Sequence, residues 1–232
     1  MTSNRNSCNN LSQSNEGRKK RAAVLICIFE DPNGELKVIL TKRSMNLSTH
    51  PGEVVLPGGK TDEALDADDI ATALREAKEE IGLAPNLVKV ITALEPFVSF
   101  HLLTVVPVVG FLTGIDDFKP VLNPHEVDAI YYLPLEMFIK EDSTHYLCQA
   151  KEWEGCKYIS HVFRFNPAAV SEVRSEPVHD QAKDGGSLQI GGLTASALIR
   201  ASSLIFRRPP PFTQLLPDFT QLQRSLNPAE FL

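Results

Sequence analysis

Three carboxylates, Glu76, Glu79 and Glu80, stand at i, i+3 and i+4 in the run Arg75-Glu76-Ala77-Lys78-Glu79-Glu80-Ile81-Gly82-Leu83. Those spacings share one face of a helix. Like charges so placed repel and cost a helix about 0.2–0.5 kcal/mol per pair. With only Lys78 between them, the acids are either a solvated face of a strong helix former or the ligands of a divalent cation. Mg²⁺ asks for such a set, because it takes hard oxygen ligands in near-octahedral geometry, shared with waters and substrate phosphates.

The elements that must position these acids are legible upstream. Glu53-Val54-Val55-Leu56 reads as a short, partly buried strand stopped by Pro57, and Gly58-Gly59 permits a tight turn and close backbone approach to a ligand. Asp66, Asp68 or Asp69 can cap the helix that follows, whose first turn favours negative charge. The spacing of Ile70, Ala73, Leu74, Ala77 and Ile81 predicts a helix over about Asp69 to Ile81 with one apolar face. Gly82 ends it as the residue after the cap. The glutamate triad is expected to point away from most of the apolar stripe, towards the glycine turn.

The segment resembles the Nudix box, and the chain resembles the coenzyme A pyrophosphatase branch of that superfamily. The box reads G, five residues, E, seven residues, then R-E-apolar-x-E-E-x-G-apolar; Arg75 to Leu83 matches its distal half at every defined position. In the proximal half, counting back from Arg75 puts the glutamate at Ala67, between Asp66 and Asp68, and counting forward from Gly59 puts it at Leu65. The loop is therefore about two residues longer than the general pattern, and the proximal acid is Asp66 or Asp68. The branch rests on Leu40-Thr41-Lys42-Arg43-Ser44, Leu47, His50, Gly52, Val54 and Leu56-Pro57-Gly58-Gly59, which resembles the signature LLTxRSxxLxxHxGxVxFPGG, with Leu56 in place of Phe.

The resemblance implies an α/β fold, the Nudix α/β/α sandwich with a mixed sheet. It also implies metal-dependent hydrolysis of coenzyme A or acyl-CoA to adenosine 3′,5′-bisphosphate and (acyl-)4′-phosphopantetheine. The implied ligands of Mg²⁺ or Mn²⁺ are Glu76, Glu79 and Glu80, with Glu79, Glu126 and Arg75 as catalytic candidates. Arg75 orients one of the carboxylates or braces the loop. Asn123-Pro124-His125-Glu126-Val127 resembles the branch's NPxEV element, so Glu126 is a base, a further ligand, or a turn-capping acid. Arg43, His50, Gly58 and Gly59 are the substrate-binding candidates. Lys42 and Arg43 suit an anionic phosphate or are solvated, while His50 suits a phosphate, Glu53 or a purely structural lock on its loop. His101, in an apolar run, reads as a packed or rim histidine. Other substrates for the same chemistry are ADP-ribose or NADH, and a non-enzymatic reading is a nucleotide-binding module.

The chain's 232 residues suffice for one sizeable core. Net charge of −6 argues against a general nucleic-acid partner; the partner the resemblance implies is a small-molecule substrate. Cys8, Cys27, Cys148 and Cys156 show no metal-site spacing, and no apolar run suits a membrane. A homodimer is left open. Residues 1–19 are expected as a disordered tail, 20–216 as the catalytic domain and 217–232 as a C-terminal tail. The compartment expected is cytoplasmic, with a mitochondrial address as the alternative. Asn166–Ser187, long and polar, is expected as a flexible insertion. Strands are expected at Ala22–Phe29, Leu36–Leu40, Val88–Thr92, Thr104–Leu112, Ile130–Leu133 and Tyr158–Phe165, and a late helix from about Thr194 to Phe206. Gly191 stands where the resembling branch has an aromatic in IWGLTA, which removes a packing surface.

Overall fold

The computed structural model describes residues 21–98, 103–140, 145–153, 155–174 and 186–215; the expected tails and His101 lie outside them. The first strands, β1 (Arg21–Glu30) and β2 (Leu36–Arg43), form a hairpin. Its turn is closed by Asp31, whose carboxylate accepts the N–H groups of Asn33 and Glu35 at 2.9 Å. Short strands β3 (Val54–Val55) and β4 (Gly58–Lys60) lead into helix α1 (Asp69–Ile81). Asp68 caps α1 by accepting the Ala71 N–H at 2.8 Å. At the other end Gly82 takes φ 72°, and its N–H and that of Leu83 close the helix onto Lys78 and Ala77, the left-handed terminus that glycine permits.

Next come β5 (Val88–Ala93), β6 (Phe97–Val98), β7 (Thr104–Leu112), β8 (Val127–Pro134), β9 (Tyr146–Trp153), β10 (Cys156–Phe165), β11 (Ser171–Arg174), β12 (Leu188–Ile190) and helix α2 (Gly192–Ile205). The large sheet runs β11-β8-β2-β1-β7-β5, with β3 on β2, β4 on β1 and β6 on β7. It is mixed, since β1 and β7 are parallel and the other pairings antiparallel. A second sheet, β12-β10-β9, packs with α2.

Alternation along β1 divides the core in two. Leu25 and Cys27 face α1 through Ala73, Ala77 and Ile81. Ile26 and Ile28 face α2 through Leu198 and Ile199, together with Phe163 and Phe165 of the small sheet. The expected α/β/α sandwich is thus the observed one.

Two expectations change. Part of the stretch expected as a flexible insertion is ordered: Asn166 caps a short turn at Pro167–Ala169, and β11 pairs with β8 from Ser171↔Tyr132 to Arg174↔Ala129. Its polar composition suits an edge strand; Val173 packs inward, and the charge of Glu172 adds to the burial that raises the pKa of Tyr131. Residues 175–185 lie outside the described residues. Strand β9 has no counterpart in the expected elements, because its largely polar, exposed residues carry no apolar run. At Gly191, a Cβ would meet only Val162 Cγ2 at 3.6 Å and the His161 carbonyl at 3.8 Å. The aromatic surface beside it comes from Tyr146, whose ring stacks on Phe212 at 4.3 Å and whose hydroxyl bonds His161 Nδ1 at 2.8 Å.

Candidate metal and diphosphate site

The site lies where the C-terminal half of α1 meets the glycine turn. The N–H of Gly58 donates to Glu80 Oε2 at 3.2 Å. A Cβ on Gly59 would lie 2.5 Å from the Glu76 carboxylate, so the turn approaches the helix closely enough that any larger residue would displace that side chain. Gly58 is constrained from the other side: a Cβ there would lie 2.4 Å from the Ala23 carbonyl oxygen.

Glu76 and Glu80 meet the glycine turn as expected, but the triad does not share one environment. Helical geometry puts Glu80 beside the buried stripe, and it is only 5% exposed. Burial raises its pKa to about 8; the Gly58 N–H opposes this, the charges of Glu76 and Glu126 add to it, and Arg43 opposes it. Glu76 is partly buried and is also shifted upward by burial, against the opposing charge of Arg75. The Glu79 side chain is 51% exposed.

Arg75 is the hub of the site. Its Nε and NH2 groups grip both oxygens of Asp66 at 2.8 and 2.9 Å, and NH2 also reaches the Lys60 carbonyl at 3.1 Å and Glu76 at 2.9 Å. NH1 donates to Glu79 at 2.9 Å. Asp66 is the buried end of this pairing, its side chain 1% exposed, and the guanidinium holds its pKa down at about 2. Asp68 is occupied as the α1 cap, which separates the roles of the two candidate proximal acids. Thr72 completes the set by donating to Asp66 Oδ2 at 3.0 Å. Sequence reasoning passed over Thr72, although it lies one turn before Arg75 and hence on the same helix face.

Glu126 belongs to the loop that covers the end of α1. The Asn123 N–H donates to the Glu80 carbonyl at 2.9 Å, and the Ser44 N–H to the Glu126 carbonyl at 2.8 Å. Glu126 is therefore within electrostatic reach of Glu76 and Glu80. Arg43 donates to the Thr49 carbonyl at 3.4 Å, and its charge acts on Glu80. His50, at φ 54°, meets Glu53 at 3.0 Å on the exposed side of its loop and clasps that loop.

Among the described residues, no three His, Cys, Asp or Glu side chains converge closely enough to hold an ion as they stand. Glu76 and Glu79 are instead paired with Arg75. The donor chemistry nevertheless fits a hard divalent cation. Glu76, Glu80 and Glu126 are oxygen donors; burial, reinforced by the charge of Glu126, lifts Glu76 and Glu80 from their ordinary pKa.

The NUDIX domain family matches residues 19–153. This chain belongs to the Nudix family. It is 50% identical over 202 residues to Nudix hydrolase 15, mitochondrial, of Arabidopsis thaliana, an alignment covering 87% of this chain and 64% of that protein. It is 47% identical over 201 residues to Nudix hydrolase 22, chloroplastic, of the same plant, covering 87% and 60%. The peroxisomal coenzyme A diphosphatase NUDT7 of Mus musculus is 35% identical over 179 residues, covering 77% and 68%. This Nudix chain thus spans less than two thirds of either plant relative. Among its described residues, no helix is long and apolar enough to cross a membrane.

Proposed function

We propose that the chain hydrolyses the diphosphate bond of coenzyme A or its acyl esters, with Mg²⁺ or Mn²⁺ held by Glu76, Glu79 and Glu80. The observation that carries this reading is the buried Glu80 beneath the Gly58 N–H, with Glu76 and Glu126 beside it. When bound, the cation neutralises phosphate oxygens and lowers the pKa of a coordinated water. The chain's residues do the rest. Arg75 steers Glu76 and Glu79, Gly58-Gly59 admits the diphosphate close to the backbone, Arg43 meets its charge, and Glu126 accepts a proton from the attacking water.

The substrate rests on the Leu40-to-Gly59 signature and on likeness to the mouse coenzyme A diphosphatase. Comparing turnover of coenzyme A and ADP-ribose, with product analysis, tests it; equal or faster cleavage of ADP-ribose sinks the coenzyme A assignment. A purified chain that binds coenzyme A in calorimetry yet cleaves no diphosphate would be a binding module. The names of the two plant relatives support an organellar address, mitochondrial or chloroplastic, over the expected cytoplasmic one. A fluorescent fusion that stays in the cytosol refutes it.

A further inference from the structure

Sheet register brings two basic residues together on the face opposite α1. Lys42 of β2 and Arg174 of β11 both pair with Ala129 of β8, so they stand two interstrand steps apart, about 10 Å between backbones. Leu40 belongs to the α2-side core, while Ile39 and Val173 belong to the α1-side core. Alternation then turns Lys42 and Arg174 to the α2 side and Arg43 to the α1 side, where it acts on Glu80. The residue between them in the register, Ala129, carries only a methyl group. Lys42 is partly buried and makes no ion pair among the described residues. Arg174 spends one contact on Glu172 at 2.7 Å, and a guanidinium has five N–H groups to offer.

We propose that Lys42 and Arg174 form a subsite for a phosphomonoester on the substrate's nucleoside, the 3′-phosphate that distinguishes coenzyme A from its dephospho form. This rests on the coenzyme A reading of the neighbouring site. Consecutive residues divide the work: Arg43 faces the diphosphate end on one side of the sheet, and Lys42 faces the monoester on the other. A phosphate dianion is best held by two convergent cations, one of them a guanidinium that can bind two of its oxygens.

The test compares kcat/KM for coenzyme A and dephospho-coenzyme A in the full chain and in Lys42→Met, Arg174→Gln and the double variant. Calorimetric binding of adenosine 3′,5′-bisphosphate and AMP runs alongside. Each single variant should lower the preference for coenzyme A about tenfold, mostly through KM, and weaken the bisphosphate by a similar factor. Arg174→Lys should recover part of the loss. Equal losses on both substrates, or an unchanged preference in the double variant, overturn the subsite. If neither substrate is cleaved by the unaltered chain, the coenzyme A reading fails. The binding arm then decides the subsite: a bisphosphate held no more tightly than AMP overturns it, and a preference lost on Lys42→Met supports it.

Discussion

Replacing Asp66 with Asn keeps the shape of the side chain and removes the charge that Arg75 grips. Two routes give its magnitude. The carboxyl ionises at about 2 in the fold against 3.8 ordinarily, a difference of about 2.4 kcal/mol in favour of the charged fold. Breaking a buried ion pair costs about 3–5 kcal/mol. Arg75, however, is 19% exposed and retains Glu76, Glu79 and the Lys60 carbonyl, so the smaller figure governs. Urea denaturation of the chelated protein at pH 7 should therefore show a loss of about 2 kcal/mol. The sign with pH follows from the depressed pKa. Between about 2 and 4 the unfolded chain binds more protons than the fold, so the contribution is full above pH 5 and fades as pH falls towards 2. The denaturation free energies of parent and variant should converge as pH falls below 4. A gap below about 0.5 kcal/mol at pH 7, or one that persists undiminished at pH 3, would refute the pairing as a source of stability.

Glu79→Gln should lower turnover by about 100-fold or more, because an amide cannot neutralise a cation; the exposed side chain predicts an unchanged denaturation midpoint, and near-normal turnover would contradict its role as a ligand. The two glycines should separate cleanly. Gly58→Ala drives a Cβ into the Ala23 backbone carbonyl and should cost about 1–3 kcal/mol in stability, whereas Gly59→Ala meets the movable Glu76 carboxylate and should mainly weaken metal affinity. Thermal melts with a Mn²⁺ titration check both, and the reverse pattern defeats the assignment. Chelation with EDTA should abolish turnover and added Mg²⁺ or Mn²⁺ restore it; activity that survives chelation rules out the metal-dependent reading.

Local rules carried much of the architecture because each element stands on its own chemistry. Helix α1 begins and ends as expected, at Asp69 and Ile81, since an aspartate cap, a 3.6-residue apolar stripe and a terminal glycine all agree. The strands rich in β-branched residues were equally legible, and β7 runs from Thr104 to Leu112 as expected. Strands β9 and β11 were not, because edge strands gain their stability from a neighbour's backbone rather than from their own apolar content. In the site, residue types were legible but environments were not. Spacing puts Glu76, Glu79 and Glu80 on one helix face, yet burial of that face depends on the turn at Gly58, which is a tertiary contact. That contact is what makes Glu80 a buried acid and leaves Glu79 half in water.

The loop between Gly59 and α1, about two residues longer than the general pattern, brings an aspartate against Arg75. Asp62 folds the loop back on itself: its carbonyl accepts the Leu65 and Asp66 N–H groups at 3.1 and 2.8 Å, and its own N–H donates to Asp66 Oδ2 at 2.8 Å. The extra residues form this turn, which carries the backbone of residue 66 close enough for a short side chain to reach the guanidinium. Only one of the neighbouring acids can then take the extended conformation of a helix cap, and Asp68, at φ −160°, takes it. In this chain the carboxylate near the proximal position, Asp66, pairs with both Nε and NH2 of Arg75. Arg75 in turn pairs with Glu76 and Glu79, and Glu76 lies against the glycine turn at Gly59.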